Sequence, residues 1–205
     1  MSPRKSVAET ALTRARIVDR AFALAVADGL EAVTIGRLAE DLGMSKAGVI
    51  GPFGTKESLQ LAVVDEAVDR FRARVTAPLA GATPGAGRLA RAFAEWIAYM
   101  GSAGHGGCFL TSVAAEFDGC PGPVRDRIRE ALARWNAFVA GEIAAALAAG
   151  ELPPTTDPDQ LAFELAGTAL SADQAIQLWH DPLAADRAHR AVTRLLASPP
   201  VTPAP

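Results

Sequence analysis

The stretch TIGRLAEDLGMSKAGVIGPFGTKESL, which runs from Thr34 to Leu59, decides the fold of this 205-residue chain. Gly43 ends an apolar stripe at helical spacing, and a helix that ends in a left-handed residue favours glycine because glycine lacks a Cβ. Ser45 can cap a second short helix that buries Val49. Two helices joined by a turn of about three to four residues with glycine can place a recognition helix in the DNA major groove. The stripe consists of Ile35, Leu38, Ala39 and Leu42.

The preceding segment predicts a third helix for the same small core. TRARIVDRAFALAVADGL, from Thr13 to Leu30, carries an apolar face, and Gly29 suits a C-cap. Basic side chains precede this helix or lie near the starts of the following ones, where free backbone N–H groups also attract phosphate. These side chains are Arg4, Lys5, Arg14, Arg16, Lys46 and Lys56, and the apolar face is Ile17, Ala21, Leu24 and Ala25. Two short helices around a glycine also occur in helical proteins that bind no DNA, so this pattern alone leaves both interpretations open.

Residues from Thr13 to about Phe71 resemble the N-terminal domain of TetR-type transcriptional regulators. The matching motifs are the TRARI start at Thr13, the A-x-x-x-G turn ending at Gly43, the Ser45-Lys46 pair, and the F-x-[ST]-K-E-x-L entry into a fourth helix from Phe53. The rest of the chain resembles the family only in length and helical texture.

The resemblance implies an all-α protein with a helix-turn-helix DNA-binding domain over residues 1–54. A helical bundle for ligand binding and dimerisation would follow over residues 55–198, and residues 199–205 would form a disordered tail. Such a protein is a homodimeric transcriptional regulator, typically a repressor, that binds a palindromic operator in double-stranded DNA and is released by a small-molecule effector.

The family pattern also assigns roles in DNA binding. Thr34 and Lys56 would contact phosphates, and Arg37 would reach the backbone or a base edge. Ser45, Lys46 and Ala47 would face bases, with Gly48 small enough to let the helix sit deep in the groove. For Thr34 and Ser45 helix capping is the simpler role, and it is compatible with DNA contact. Phe53 is expected in the core, where it would fix the fourth helix.

The segment Ile50-Gly51-Pro52 departs from the family pattern, which usually has Tyr followed by His-His there. Ile50 has no hydroxyl to offer a phosphate, and Pro52 disfavours α geometry at Gly51. We therefore expect the recognition helix to end early and to hold phosphate less firmly.

The remaining sequence predicts a bundle of longer helices. Thr55 is a good N-cap for a helix to Pro78, and further helices are expected over residues 88–100, 109–117, 123–149, 158–179 and 182–197. Asp157 and Asp181 would cap the last two. Small residues in the eighth helix would allow close approach of a second copy of the chain, and they are Gly167, Ala169, Ala172 and Ala175.

Aromatic side chains of the fifth to seventh helices suggest a pocket for a largely apolar ligand, although the same side chains would also suit a solid core. The candidate ligand-binding residues are Phe93, Trp96, Tyr99, Met100, Phe109, Phe117, Trp135 and Phe138, with Phe163 as a further lining residue. Polar residues that would orient the ligand are Glu116, Asn136, Gln174 and His105.

Composition narrows the classes of function. The net charge is −3, but it is unevenly distributed. Residues 1–56, which we call the head, hold eight Lys or Arg and six Asp or Glu, so the net charge of the head is +2 and that of the remaining residues is −5. This asymmetry modestly orients an approaching polyanion. We find no apolar run of about 18 residues and no secretory signal, so no membrane span is predicted and a cytoplasmic location is expected.

Two cysteines, Cys108 and Cys120, give no zinc ligand set, and neither a metal, a cofactor nor a catalytic site is expected. A thiol redox switch stays open. Two rival functions also stay open. One is an enzyme in which Cys108 or Ser112 reacts with His105 as base, for which no orienting third group is visible. The other is a helical interaction protein of the same fold with weak or no DNA binding.

Overall fold

The computed structural model of the chain describes residues 7–102 and 106–197, and within these ranges it is helical with no strand. This confirms the all-α prediction. The helices are α1 (Val7–Asp28), α2 (Ile35–Leu42), α3 (Lys46–Ile50), α4 (Lys56–Phe71), α5 (Ala86–Gly101), α6 (Phe109–Phe117), α7 (Pro123–Ala148), α8 (Pro158–Gln177) and α9 (Ala184–Ala197). A π-helical turn (Arg72–Thr76) and a 3₁₀ turn (Ala77–Leu79) follow α4.

The described residues fall into two compact units. The first contains the chain up to Arg70 together with Phe109–Glu130, and the second contains Phe71–Cys108 and the chain from Ala131 onward. The predicted functional boundary between residues 54 and 55 stays a prediction. The basic residues Arg4 and Lys5, the polar candidate His105 and the tail 199–205 lie outside the described residues.

The first unit has the three-helix core that the sequence predicts. The apolar face of α1 is buried at Ile17, Ala21, Leu24 and Ala25, and it is joined by Leu38 and Ala39 of α2 and Val49 of α3. Because Ile35 and Leu42 are only partly buried, the α2 stripe is narrower than predicted.

The second unit buries one face of each of its long helices. Leu89, Phe93, Ile97 and Met100 of α5, Ile143 of α7 and Leu165 of α8 are all almost completely buried. The spacing of the α5 set at i, i+4, i+8 and i+11 is that of a helix with one apolar side.

Several helix ends differ from the sequence-based bounds. The largest difference is at α4, which was predicted to continue to Pro78 but ends at Phe71. Pro78 has no N–H to donate, so regular α-helical hydrogen bonding cannot continue through it; a π-helical turn precedes it and a 3₁₀ turn contains it. The α5 helix begins two residues earlier than predicted, at Ala86, and α9 two residues later, at Ala184. No helix within the described ranges is both long and apolar enough to cross a membrane.

Candidate DNA-binding and ligand-binding sites

The turn between α2 and α3 is fixed by backbone and side-chain caps. Gly43 adopts the left-handed conformation (φ 62°, ψ 36°), and its N–H bonds the carbonyls that end α2. The Ser45 hydroxyl accepts the Gly48 N–H at 3.0 Å, and the Thr34 hydroxyl accepts the Arg37 N–H at 3.2 Å. Both predicted capping roles are therefore present, and the two helices meet through a sharp, defined turn.

The α3 helix presents its first residues to solvent. Lys46 and Ala47 are exposed, whereas Val49 is fully buried and anchors the helix. The Lys46 side chain lies beside the start of α2, since a Cβ on Gly36 would be 3.7 Å from its Cε and 3.9 Å from its Nζ. Within the described parts of the chain no ion pair of Lys46 is found. Its ammonium is thus an uncompensated cation at the exposed end of the helix pair.

Arg37 and Lys56, which also have predicted roles in DNA binding, are engaged within the protein. Arg37 pairs with Asp28 at the end of α1. Lys56 Nζ donates to the Glu31 carbonyl at 2.8 Å and lies 3.4 Å from Glu31 Oε1, while Gln60 Nε2 donates to Glu31 Oε2 at 3.0 Å. These contacts tie the loop between α1 and α2 to α4, a role for Glu31 that sequence reasoning missed.

The segment Ile50-Gly51-Pro52 ends α3 at Ile50, as expected. Gly51, however, adopts α geometry (φ −50°, ψ −44°), contrary to the expectation from Pro52. A glycine has no Cβ to clash with the proline ring, and the Gly51 N–H gains a hydrogen bond to the Ala47 carbonyl at 2.9 Å. Phe53 is only partly buried, and the Arg14 guanidinium lies 5.1 Å from its ring centroid.

Glu116, proposed from sequence as a polar ligand contact, binds backbone of the head. Its Oε2 accepts the Leu30 N–H at 2.9 Å and its Oε1 accepts the Glu31 N–H at 2.6 Å. One carboxylate of α6 therefore caps two amides of the loop between α1 and α2. Nothing in the local sequence around Glu116 signals this contact.

Five of the candidate ligand-binding residues lie together in the second unit, and Phe71 joins them. We call this set the aromatic cluster, and it consists of Phe71, Phe93, Trp96, Tyr99, Trp135 and Phe138. Trp96 and Trp135 are in edge contact with centroids 5.1 Å apart, and Phe71 lies 5.2 Å from Trp135. Met100 is fully buried in the same unit.

The other candidates lie elsewhere. Phe109 and Phe117 belong to the first unit, where the Phe109 ring lies 5.1 Å from that of Phe22. Phe163 is 75% exposed, and Asn136 and Gln174 are exposed as well. The sequence placed these residues on helices but did not show what each side chain meets.

A buried ion pair borders the aromatic cluster. Glu142, 3% exposed, accepts Arg88 Nε at 2.9 Å and the Gly85 N–H at 3.0 Å and also pairs with Arg88 Nη2, while the Arg88 guanidinium lies 5.9 Å from the Phe138 ring centroid. Burial alone would raise the pKa of Glu142, but the bonds from Arg88 and Gly85 and the charge of Arg88 lower it below its ordinary value. The hydrogen bond to Glu142 raises the pKa of Arg88. Both groups are therefore charged at neutral pH and compensate each other.

Comparison with known proteins identifies the family that has this architecture. The profile described as "Bacterial regulatory proteins, tetR family" matches residues 17–63, and "Tetracyclin repressor-like, C-terminal domain" matches residues 85–192, more than half of the chain. The chain belongs to the TetR family. A search of curated proteins finds no match.

Several solved structures share the fold over most of the chain. A TetR transcriptional regulator from Chloroflexus aurantiacus superposes with a TM-score of 0.84 at 25% identity, covering 93% of this chain and 98% of that one. The regulator SCO4454 from Streptomyces coelicolor gives 0.77 at 24% identity, with coverage of 90% and 94%. AibR, solved with isovaleryl coenzyme A and operator DNA, gives 0.72 at 19% identity, with coverage of 89% and 97%.

In this TetR-family chain, α8 and α9 border an open groove of about 480 Å³. Small residues line it, among them Gly167, Ala172 and Ala188, together with Trp179, Asp181 and Arg187. Large apolar side chains are exposed on or beside these helices, namely Leu170, Leu178, Trp179 and Leu183. An exposed apolar set of this kind is typical of a protein contact surface.

The cysteines do not form a pair. Cys108 is buried and Cys120 is exposed, and they belong to different units. The Cys108 N–H donates to Asp173 Oδ1 at 3.2 Å. Across the described ranges, no group of three or more His, Cys, Asp or Glu side chains could hold a metal ion. The family and the structural neighbours are transcriptional regulators.

Proposed function

We propose that this TetR-family protein is a homodimeric transcriptional repressor that binds a palindromic operator through α3 and is released by a small, largely apolar molecule. The observation that carries the proposal is the exposed start of α3, where Lys46 and Ala47 project from a turn fixed by Gly43 and Ser45. A rigid turn and an uncompensated cation are what a helix needs to read a base edge in the major groove.

The remaining head contacts are compatible with phosphate binding. Thr34 and Ser45 cap helices, and their hydroxyls lie at the exposed helix starts where phosphates bind. Arg37 and Lys56 are exposed enough to exchange an internal partner for a phosphate, since their side chains are 47% and 39% accessible. We assign Thr34, Arg37 and Lys56 to positioning on the DNA backbone, and Ser45, Lys46 and Ala47 to the surface that faces the bases.

The dimer is assigned to the α8 and α9 surface. Small residues permit close helix approach, and the exposed leucines and Trp179 supply apolar area that a two-fold contact would bury. A two-fold dimer presents two α3 helices, which explains why the operator should be palindromic.

The effector is assigned to the second unit because its aromatic side chains gather there. AibR, which shares the fold, was solved in complex with isovaleryl coenzyme A and operator DNA. That precedent supports ligand control of DNA binding in this architecture, although it does not transfer the ligand.

Selection of duplex DNA from a random library by the full chain tests the proposal. Enrichment of an inverted repeat, bound with stoichiometry of two chains per site, is expected. A library that returns no common motif after repeated rounds, or a motif without two-fold symmetry, would overturn it.

The internal engagement of Arg37 and Lys56 and the early end of α3 favour a second candidate. In this case the protein is a helical interaction protein whose DNA binding has weakened. It predicts salt-insensitive or absent binding to every duplex in the same selection.

A further inference from the structure

Trp96 carries a buried polar atom that the protein itself does not satisfy. The residue is 5% exposed, and its Nε1–H has no hydrogen-bond partner among the described residues. A buried donor without an acceptor costs free energy, so such groups recur where a ligand supplies the missing partner.

The surroundings of Trp96 are aromatic. Its ring lies 5.1 Å from Trp135, 5.7 Å from Phe93 and 6.1 Å from Phe71, measured between centroids. Faces and edges at these distances suit a flat, apolar molecule that stacks or packs edge-on.

The charged pair that borders the cluster leaves no net charge for an ionic ligand to bind. The guanidinium that lies over Phe138 belongs to Arg88, and Glu142 already neutralises it through a buried, two-pronged pair. A carboxylate or phosphate placed among the rings would lose its hydration and gain no uncompensated cation from this pair.

Phe71 differs from the other rings of the cluster in its place at the end of a helix. It is the last residue of α4 and directly precedes the π-helical turn, whereas the other rings of the cluster lie within α5 and α7. Its centroid is 6.1, 6.0 and 5.2 Å from those of Trp96, Tyr99 and Trp135. A molecule that takes its place would contact all three rings.

We propose that the aromatic cluster is the effector site and that it takes a neutral, planar aromatic molecule with one hydrogen-bond acceptor, which Trp96 Nε1–H binds while Phe71 is displaced. This deepens the proposed function and rests on it, because it identifies the chemical class of the releasing ligand.

Three probes that share the naphthalene ring system separate the contributions of the hydrogen bond and of the ligand's charge to binding. 1-Acetonaphthone is neutral with a hydrogen-bond acceptor, 1-ethylnaphthalene is neutral without an acceptor, and 1-naphthoate is anionic. Equilibrium dialysis against the full chain should give the ketone about tenfold tighter binding than the hydrocarbon, the value of one net hydrogen bond. Naphthoate should bind weakest.

Trp96→Phe keeps an aromatic ring and deletes the donor, so it should reduce the ketone preference to about onefold while the hydrocarbon still binds. Phe53→Leu, a ring variant of the first unit outside the cluster, should keep the full preference. Phe71→Ala should tighten binding of both neutral probes, because no ring has to move.

A ketone preference that survives in Trp96→Phe, or tightest binding of naphthoate, would overturn the proposal. So would the absence of binding of any probe to both the wild type and Phe71→Ala. If Trp96→Phe fails to fold, the ratio of ketone to hydrocarbon affinity in the wild type and the affinity of Phe71→Ala for the two neutral probes decide. Operator binding is measured on the same samples: operator binding without probe binding refutes this site alone, and probe binding without operator binding refutes the proposed function alone.

Discussion

Replacing Glu116 by alanine should loosen the loop that leads into α2 and α3. The change removes both acceptors of the Leu30 and Glu31 amides, at 2.9 and 2.6 Å. Leu30 is completely buried, so its freed N–H has little access to water. We expect α2 and the turn to α3 to lose part of their fixed position as a consequence.

The free-energy cost of this substitution follows from the two hydrogen bonds that it removes. A hydrogen bond to a charged group contributes about 1.5–3 kcal/mol, and the partial exposure of Glu116 places each bond at or below the lower end. The total is therefore about 2–3 kcal/mol for opening of the loop. Glu116→Gln keeps one carbonyl oxygen but turns an NH₂ donor toward the second amide, so it should lose more than half of this value.

Amide hydrogen exchange at Leu30 and Glu31 measures the effect directly. Amide exchange about 30- to 150-fold faster is expected in Glu116→Ala, together with weaker operator binding. Glu40→Gln, which removes one exposed negative charge from α2 of the same unit, is the matched control and should change neither. Wild-type exchange rates in Glu116→Ala would refute the reasoning that α6 holds the head through this carboxylate.

Three further outcomes are expected. Glu142→Gln should destabilise the fold by about 2–3 kcal/mol in urea unfolding, because it leaves a partly buried guanidinium uncompensated. The pKa of Glu142 is below its ordinary value, so the ion pair stabilises the fold above the pKa of the unfolded state, and this stabilisation is lost as the pH falls through the pKa of the folded state. Glu142→Gln lacks this contribution, so its free energy of unfolding should decline less steeply with acid than that of the wild type. An equal decline would contradict the assignment. Leu170→Glu should give a monomer in sedimentation at micromolar concentration, while Leu12→Glu, on an exposed site of α1, should leave a dimer; two dimers would move the contact elsewhere. Lys56→Ala should flatten the slope of log affinity against log salt by about one unit and weaken all duplexes alike, and an unchanged slope would restrict Lys56 to holding Glu31.

Local chemistry made the helix-turn-helix predictable. The caps at Thr34, Ser45 and Asp157 and the left-handed Gly43 depend on residues within four positions of each other, so a single stretch of sequence contains all that is needed. The buried face of α1 was equally visible, because a 3.6-residue period shows which side of a helix is apolar.

Contacts between distant segments were not predictable from the same signals. Periodicity placed Phe109 and Phe117 on α6 but did not show that they belong to a different unit from Trp96 and Trp135. The Glu116 carboxylate accepts from backbone N–H groups about 85 residues earlier in the chain, and because every residue except proline has such a donor, the sequence of that loop does not indicate the contact. The sequence predicted an unbroken helix through Phe71 to Pro78, because the change to a π-helical turn after Phe71 depends on packing as well as on Pro78.

The central claim is that α3 reads DNA through Lys46, and equilibrium binding to the selected operator tests it most directly. Affinities of the wild type, Lys46→Ala and Arg129→Ala would be measured for the operator and a scrambled duplex at several salt concentrations. Arg129 is an exposed cation of α7 in the same unit, 3.5 Å from Asp126, so its loss matches the charge change away from the helix pair. Lys46→Ala should lose about 1–3 kcal/mol per half-site on the operator and much less on the scrambled duplex, and Arg129→Ala should bind like the wild type. Equal binding by all three proteins would contradict the account.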